Sequence, residues 1–230
     1  MIKYVIFDLD DTVLDFHRGE MEYIDEIFNQ QGVSDISAAK CEYIKLNKKI
    51  WENIEAGATP QPLLNTRFSK TLSLFGIEAD GVQLEAQYRS MLNHNFYTIP
   101  GANDLLADLQ KLGITLFVGT NGVKKTQIER LHGSGLDKYF AEYFISEDIG
   151  YSKPNAKFFS PMFKRISDLT SENTVMVGDR LQSDILGASR AGLQSIWFNP
   201  NKHNNKSEIQ PTYTVDSYQQ LYKLIAQKLN

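Results

Sequence analysis

Three aspartates follow a short apolar segment near the start of the chain, within the sequence KYVIFDLDDTVL. Tyr4–Phe7 is rich in residues that favour strands, and Asp8, Asp10 and Asp11 come directly after it. Three carboxylates this close together repel one another, so they stay ionised only beside a positive charge, most simply a divalent cation with oxygen ligands. If Asp8 is the last strand residue, Asp8 and Asp10 point to the same side, and one can attack while the other transfers a proton.

Polar side chains also follow the later apolar segments of the chain. They are Thr120, Asn121, Lys153, Asp179 and Asp184. Because strand ends in a parallel sheet lie side by side, these groups can converge with the first aspartates. The set then contains a carboxylate nucleophile, a second carboxylate, a hydroxyl, an ammonium group and an acidic pair for a metal ion, which are the requirements of phosphoryl transfer.

Each of these residues has an ordinary structural explanation when it is taken alone. The first aspartates could form an acidic turn, and Thr120 or Asn121 could cap the helix that follows. Lys153 could be a solvated loop lysine, and Asp184 could lie in the first turn of a helix because the helix dipole favours it there. The complete set, in this order, favours the functional interpretation.

The hydrophobic pattern divides the chain into two kinds of region. From Phe16 to about Phe96 the apolar spacing predicts four helices. The first ends near Gly32, and the second is capped by Ser37. The third runs from Pro60 to Phe75, and the fourth runs from about Asp80 to His94. From Ile99 onward strands and helices alternate, which is typical of a parallel sheet covered by helices. We therefore predict an α/β core of residues 1–15 and 98–230, with an inserted four-helix-bundle cap domain of residues 16–97.

The composition is that of an ordinary globular protein. The 230 residues are 42% hydrophobic and carry a net charge of −4 without clustered basic residues, so we expect neither a nucleic-acid partner nor a membrane surface. No apolar stretch approaches the ~18 residues of a membrane span, and Asp8 interrupts the first one too early for a signal peptide. We expect a cytoplasmic protein, a monomer or a weak homodimer, with no internal disulfide because Cys41 is the only cysteine.

Four segments resemble, in order, the signature motifs of the haloacid dehalogenase-like superfamily of aspartate-nucleophile phosphatases. They are DLDDTV at Asp8–Val13, GTNG at Gly119–Gly122, SKPN at Ser152–Asn155 and GDRLQSD at Gly178–Asp184. The resemblance implies a Rossmann-like core, and the helical insertion has the size and place of the mobile cap in the helical-cap subfamily I. The stretch TNGVKKTQIERLHGSGLDKYF, with ISEDIGYSKPN after it, is similar to the branch of 5′-nucleotidases that act on pyrimidine nucleoside monophosphates.

The resemblance implies a catalytic role for each residue around the phosphoryl group. Asp8 would attack phosphorus and form an aspartyl-phosphate, while Asp10 would protonate the leaving oxygen and then activate water. Thr120 and Asn121 would bind the phosphoryl oxygens. Lys153 would also bind there and would neutralise the charge that develops in the transition state.

The resemblance also implies Mg²⁺ as the cofactor. The ion would be held by the Asp8 carboxylate, the Asp10 backbone carbonyl and Asp179, with Asp184 as a direct or water-mediated ligand. Negative charge from all four aspartates would otherwise repel a dianionic phosphate ester.

Substrate choice must come from the cap, because the core motifs contact only the phosphoryl group and the metal. Aromatic and polar residues that could line the entrance or reach a base or sugar are Phe16, His17, Arg18, Trp51, Asn53, Arg67 and Tyr97. The ordinary alternatives are that Trp51 packs inside the bundle and that Arg67 is a surface charge. We expect a nucleoside 5′-monophosphate, with a pyrimidine base, as the small-molecule substrate.

Other functions fit parts of the same pattern. A broad-specificity, phosphoglycolate or sugar-phosphate phosphatase would use the same core, and so would a phosphomutase. Dehalogenase chemistry is disfavoured, because it needs no metal-bound acid cluster and such relatives replace the residue at the position of Asp10. A phospho-accepting receiver domain also combines acids, a hydroxyl and a lysine, but its accepting acid lies in mid-chain and it has no helical insertion after the first strand.

Overall fold

The computed structural model describes residues 1–228 and divides the chain into two compact units. Met1–Asp15 together with Phe96–Asn230 form one unit, here called the sheet unit, and Phe16–Asn95 form the other, here called the helical unit. The last two residues of the predicted range 98–230 lie outside the described residues. Across residues 1–228, no helix has both the length and the apolar character required to span a membrane.

The helical unit contains five helices among the described residues, where the sequence pattern predicts four. They are α1 (Phe16–Gln30), α2 (Ile36–Glu55), α3 (Pro60–Leu64), α4 (Arg67–Ser73) and α5 (Gly81–Asn93). The third predicted helix is divided at Asn65 and Thr66. Thr66 Oγ1 donates to the Leu63 carbonyl at 2.8 Å, and Asn65 Oδ1 accepts from Gln61 Nε2 at 2.7 Å. Such side chains form local hydrogen bonds that compete with a continuous helix.

Aspartates cap two helices of this unit. The prediction that Ser37 caps the second helix is wrong. Helix α2 begins at Ile36, and the Asp35 carboxylate caps it by accepting from the Ala38 amide at 2.9 Å. Asp80 caps α5 in the same way. An aspartate satisfies the free amides at a helix start and also places its negative charge at the positive end of the helix dipole.

The sheet unit contains six parallel strands. They are β1 (Tyr4–Phe7), β2 (Thr115–Thr120), β3 (Phe140–Ile145), β4 (Thr174–Gly178), β5 (Gln194–Phe198) and β6 (Tyr213–Val215). The strand order is β3-β2-β1-β4-β5-β6, and Phe7 is in register with Val118 and Val177 on the two neighbours of β1. The segments that follow β1, β2 and β4 therefore leave the sheet at one edge, where open α/β sheets bind their ligands.

Helices cover both faces of this sheet. They are α6 (Ala102–Lys111), α7 (Lys124–Ser134), α8 (Ser146–Ile149), α9 (Ser160–Arg165), α10 (Leu186–Arg190) and α11 (Tyr218–Gln227). Side-chain alternation along β1 places Val5 and Phe7 in one apolar core and Tyr4 and Ile6 in the other, so the strand is buried on both sides. The structure confirms the predicted α/β class with its parallel sheet and corrects the number of inserted helices.

Arg67 is buried in the helical unit, with 2% of its surface exposed. Its Nε and Nη2 donate to the two carboxylate oxygens of Glu85 at 2.7 and 2.9 Å, and Nη1 donates to Asn47 Oδ1 at 3.1 Å. Its guanidinium carbon lies 4.6 Å from the centre of the Tyr88 ring. These contacts hold the guanidinium inside the bundle, so both sequence interpretations of Arg67, a group that reaches the substrate and a surface charge, are wrong.

The Arg67–Glu85 pair yields a test of stability. Glu85→Leu leaves a buried guanidinium without its carboxylate, so we expect a loss of about 3–5 kcal/mol in the free energy of unfolding, measured by urea denaturation. The double variant Arg67→Met/Glu85→Leu should be more stable than Glu85→Leu, since neither charge is then buried. Arg89→Met is the control, because Arg89 also contacts Glu85 but is partly exposed and should contribute less than about 1 kcal/mol. A double variant no more stable than Glu85→Leu would contradict the prediction.

Candidate functional site

A tight turn after β1 fixes the first aspartates. The Leu9 carbonyl accepts hydrogen bonds from three backbone amides, those of Thr12, Val13 and Leu14. Leu9 is itself fully buried, so the turn is anchored in the core. Asp11 occupies the left-handed region at φ 55°, which aspartate adopts more readily than most residues. Asp8 therefore leaves the sheet at a defined point, with its amide donating to the Val177 carbonyl at 2.9 Å.

Lys153 lies at the centre of the site and is almost fully buried. Its ammonium group donates to Asp8 Oδ1 at 2.8 Å, to Asp184 Oδ1 at 2.6 Å and to the Gly119 carbonyl at 2.6 Å. An ammonium group has three donors, so all three are engaged. The lysine joins the end of β2 to the segments that follow β1 and β4, and it is not the solvated loop lysine that the sequence also allowed.

Three carboxylates form a group that fits a divalent cation. One oxygen from each of Asp8, Asp179 and Asp184 lies within 4.8 Å of the others. Asp179 Oδ1 is buried and has no hydrogen-bond partner among the described residues. A buried carboxylate oxygen without a donor is costly unless it binds a cation, and Mg²⁺ prefers carboxylate oxygen ligands.

Burial and crowding change the protonation of these groups in the metal-free site. Burial raises the pKa of Asp8 to about 7; Lys153 opposes the rise, while the charges of Asp184 and Asp10 add to it. Burial, with the charges of Asp184 and Asp8, also raises the pKa of Asp179 well above its usual range. Burial alone would lower the pKa of Lys153, but the charges of Asp184 and Asp8 outweigh it and raise that pKa. The site therefore holds more carboxylate charge than one ammonium group balances.

Asp184 is held in place by backbone packing as well as by Lys153. It lies in a π-helical turn, Leu181–Ile185, just before α10, and its Oδ2 accepts from the Arg180 amide at 3.1 Å. A Cβ at Gly178 would meet the Asp184 carboxyl group at 2.4 Å, so only glycine fits at the end of β4. The Asp179 carbonyl is fixed in turn by the indole N–H of Trp197 at 2.7 Å.

Thr120 is the last residue of β2, Asn121 follows it, and their side chains make different contacts. Thr120 Oγ1 accepts from the Gly122 amide at 3.1 Å, which closes the turn. The Asn121 amide group makes two hydrogen bonds to the backbone of Lys153, one to its carbonyl at 2.8 Å and one from its N–H at 2.9 Å. The Asn121 side chain therefore positions the Lys153 segment.

Two residues of α7 contact Asp10 and were missed in the sequence. Arg130 is fully buried and its Nη1 donates to Asp10 Oδ1, while Gln127 Nε2 donates to Asp10 Oδ2 at 2.9 Å. Gln127 Nε2 also donates to Thr120 Oγ1 at 2.9 Å, so Asp10 and Thr120 are brought together through it. The sequence signal that could have revealed them is the i, i+3 spacing of Gln127 and Arg130, which places both on the face of α7 whose Leu131 is buried in the core.

The residues proposed to contact the leaving group have varied surroundings. Trp51 is half-buried beside the apolar cluster of Ile50, Ile54 and Leu64, which is the packing alternative for this residue. Exposed or half-exposed members of the set are Phe16, His17, Arg18, Asn53 and Tyr97. Arg18 contacts Glu22 one turn along α1 at 3.2 Å.

Comparison with known proteins gives consistent matches over nearly the whole chain. A family model described as haloacid dehalogenase-like hydrolase matches residues 2–192. Pyrimidine 5′-nucleotidase PynA of Streptococcus pneumoniae is 41% identical over 220 residues, covering 95% of this chain and 93% of that protein. Pyrimidine 5′-nucleotidase YjjG of Escherichia coli is 30% identical over 226 residues, covering 96% and 97%.

One solved structure supports the cation interpretation of the carboxylate group. The crystal structure of the HAD-hydrolase YfnB from Bacillus subtilis, bound to magnesium, superposes with a TM-score of 0.90 at 39% identity and covers 97% of this chain and 98% of that one. The likeness extends over both units of the present chain.

The raised pKa of Asp8 predicts a pH-dependent response to Mg²⁺. With a folded pKa of about 7 against an ordinary value of 3.8, the protonated carboxyl group stabilises the metal-free protein at low pH, and that stabilisation is lost as pH rises through about 7. Magnesium binds the ionised carboxylate, so the increase in Tm that it causes over EDTA should be larger at about pH 8 than at about pH 6.

The control for this response is Asp8→Asn, which cannot ionise. It should show a smaller increase in Tm with Mg²⁺ and less difference between the two pH values. Sodium chloride at matched ionic strength should not reproduce the increase. An equal increase at both pH values in the native protein would show that Asp8 does not gain or lose a proton in this range.

Proposed function

Because the chain belongs to the haloacid dehalogenase-like hydrolases and is a phosphoric monoester hydrolase, we propose that it hydrolyses pyrimidine nucleoside 5′-monophosphates through an aspartyl-phosphate on Asp8. The observation that carries the proposed mechanism is the buried contact of Lys153 with Asp8 and Asp184, next to Asp179. Two relatives named as pyrimidine 5′-nucleotidases support the proposed substrate class.

In the first step an oxygen of the Asp8 carboxylate forms a bond to phosphorus and the bond from phosphorus to the ester oxygen breaks. Asp10 gives its proton to the departing ester oxygen, which leaves as the nucleoside hydroxyl group. Thr120 is linked to Asp10 through Gln127, and its hydroxyl group donates to a phosphoryl oxygen. The Lys153 ammonium neutralises negative charge in the transition state through its position against Asp8.

In the second step water attacks the phosphorus of the aspartyl-phosphate. Asp10, now ionised, accepts a proton from this water, the bond from phosphorus to the Asp8 oxygen breaks, and inorganic phosphate leaves. Asp8 is regenerated as a carboxylate and Asp10 is again protonated for the next cycle. One carboxyl group thus serves as acid and then as base, because the ester oxygen leaves, and water later attacks, on the same side of phosphorus, opposite the Asp8 oxygen.

Asp8, Asp179 and Asp184 would hold Mg²⁺, with the Asp10 backbone carbonyl as a further ligand. When bound, the ion supplies positive charge for the phosphoryl oxygens and for the crowded carboxylates. The raised pKa values of Asp8 and Asp179 in the metal-free site support this assignment, because both carboxylates need a cation to stay ionised at neutral pH.

The nucleophile can be tested by replacing Asp8. Asp8→Asn should abolish turnover of UMP, because the amide cannot form the acyl-phosphate bond, whereas Asp10→Asn should lower kcat by about 10²–10⁴ through the loss of proton transfer. Beryllium fluoride should label Asp8 in the native protein. Asp11→Asn is the matched control, since it removes the same charge in the same turn and asparagine also tolerates the left-handed conformation. Near-native kcat in Asp8→Asn would exclude the covalent mechanism.

The substrate class can be tested by direct competition. Purified protein is assayed for phosphate release from dUMP, UMP and dTMP against phosphoglycolate and glucose phosphates, and we expect the pyrimidine nucleotides to have the highest kcat/KM. The proposal assigns discrimination to groups outside the core motifs, which contact only the phosphoryl end. If phosphoglycolate or a sugar phosphate exceeds the nucleotides by more than about tenfold in kcat/KM, the protein is a different small-molecule phosphatase with the same core chemistry.

A further inference from the structure

We propose that Gln127 and Arg130 are positioning residues that hold the Asp10 carboxylate in its working orientation and connect it to Thr120. This inference rests on the proposed function, in which Asp10 transfers protons at the phosphoryl group. Neither residue touches the reacting atoms. Both act through Asp10, and Gln127 also acts through Thr120.

The hydrogen bonds fix both oxygens of Asp10. Arg130 Nη1 donates to Oδ1 and Gln127 Nε2 donates to Oδ2 at 2.9 Å. Arg130 Nη1 also donates to Gln127 Oε1 at 3.0 Å, which sets the orientation of the Gln127 amide group. A flipped amide would place its oxygen against the Asp10 carboxylate and the Thr120 hydroxyl and would lose both donations. One arrangement of Gln127 therefore determines one orientation of Asp10.

The glycine that ends the turn after β2 belongs to the same arrangement. A Cβ added to Gly122 would meet Gln127 Nε2 at 2.4 Å and the Gln127 side-chain carbon at 2.5 Å. The backbone of the turn therefore packs directly against the amide group, and any larger residue at this position would displace it. The Gly122 amide in turn donates to Thr120 Oγ1, which also accepts from Gln127.

The burial of these polar groups argues against a purely structural role. Gln127 and Arg130 are 1% and 0% exposed on a helix that packs against the sheet. A buried guanidinium and amide cost free energy unless they are fully paired, and apolar residues on this face would stabilise the fold at least as well. Their partner, Asp10, is about a third exposed at its side chain, so the buried groups are directed toward a carboxylate that substrate can reach.

The orientation matters because proton transfer depends steeply on geometry. A misplacement of about 1 Å at a reacting group can cost about 10²-fold in rate. A carboxylate on a turn has rotamers that would point it away from the ester oxygen, and α7 removes them by binding both of its oxygens. Because α7 also contacts Thr120, one helix positions both the hydroxyl group that binds the phosphoryl oxygen and the carboxyl group that transfers the proton.

The test is a double-mutant cycle between Gln127 and Asp10. Gln127→Met keeps the length of the side chain and removes both donors, and it should lower kcat for UMP by about tenfold or more with a change in KM below about threefold. With p-nitrophenyl phosphate, whose leaving group needs no proton, the loss should be smaller than with UMP. In the Asp10→Asn background, assayed with p-nitrophenyl phosphate, Gln127→Met should have almost no further effect.

Matched variants keep each outcome decisive. If Gln127→Met does not yield folded protein, Gln127→Glu, which places a carboxylate against Asp10, replaces it in the same double-mutant cycle. Arg130→Lys should also lower kcat more with UMP than with p-nitrophenyl phosphate. Lys125→Met, on the exposed face of α7, should retain native kcat. Folding and metal binding are checked by the Mg²⁺-induced increase in Tm, which each variant should retain.

Two results separate failure of this inference from failure of the proposed function. If Gln127→Met leaves kcat unchanged, or lowers it equally in the native and Asp10→Asn backgrounds, Gln127 does not act through Asp10 and the inference is overturned. If Asp10→Asn itself retains native kcat with UMP, Asp10 is not the proton-transfer group and the proposed mechanism fails first.

Discussion

The ammonium group of Lys153 is the contact on which the rest of the site depends. It lies between the carboxylates of Asp8 and Asp184 and accounts for how two acids approach each other at the buried edge of a sheet. A charge is costly in this environment, so three carboxylates and one lysine are stable only as a group. Burial, together with the remaining excess of negative charge, raises the pKa values of Asp8 and Asp179, and a cation beside them would favour their ionised forms.

Much of the fold could be predicted because the strands carry clear signals. Tyr4–Phe7 is an uninterrupted apolar run that ends in an acid, and its observed bounds as a strand are those that the pattern indicates. Parallel strands in turn place their trailing polar residues at one edge, which is how Asp8, Lys153 and Asp184 could be grouped from sequence. These strands are recognisable because a strand that is buried on both faces must consist almost entirely of apolar residues.

Other features could not be predicted because their signals are ordinary ones. Gln127 and Arg130 lie within a helix, where glutamine and arginine are common, and only the packing of α7 shows that they are buried. Arg67 is similar, since its partner Glu85 lies 18 residues away on another helix. The division between α3 and α4 depends on local side-chain hydrogen bonds that no periodicity records.

The position of β1 in the sheet has a consequence for the order in which the protein is built. β1 precedes both of its sheet neighbours in the chain, since these are residues 115–118 and 174–177. Residues 16–95 find the partners of their apolar core within their own range, whereas β1 must wait for two strands that are made much later. Asp8 is therefore synthesised long before Lys153, which lies 145 residues later in the chain and contacts it in the folded protein. A truncated chain that ends before Thr174 contains Asp8, Thr120 and Lys153, but it lacks β4 and the two aspartates that follow it, Asp179 and Asp184.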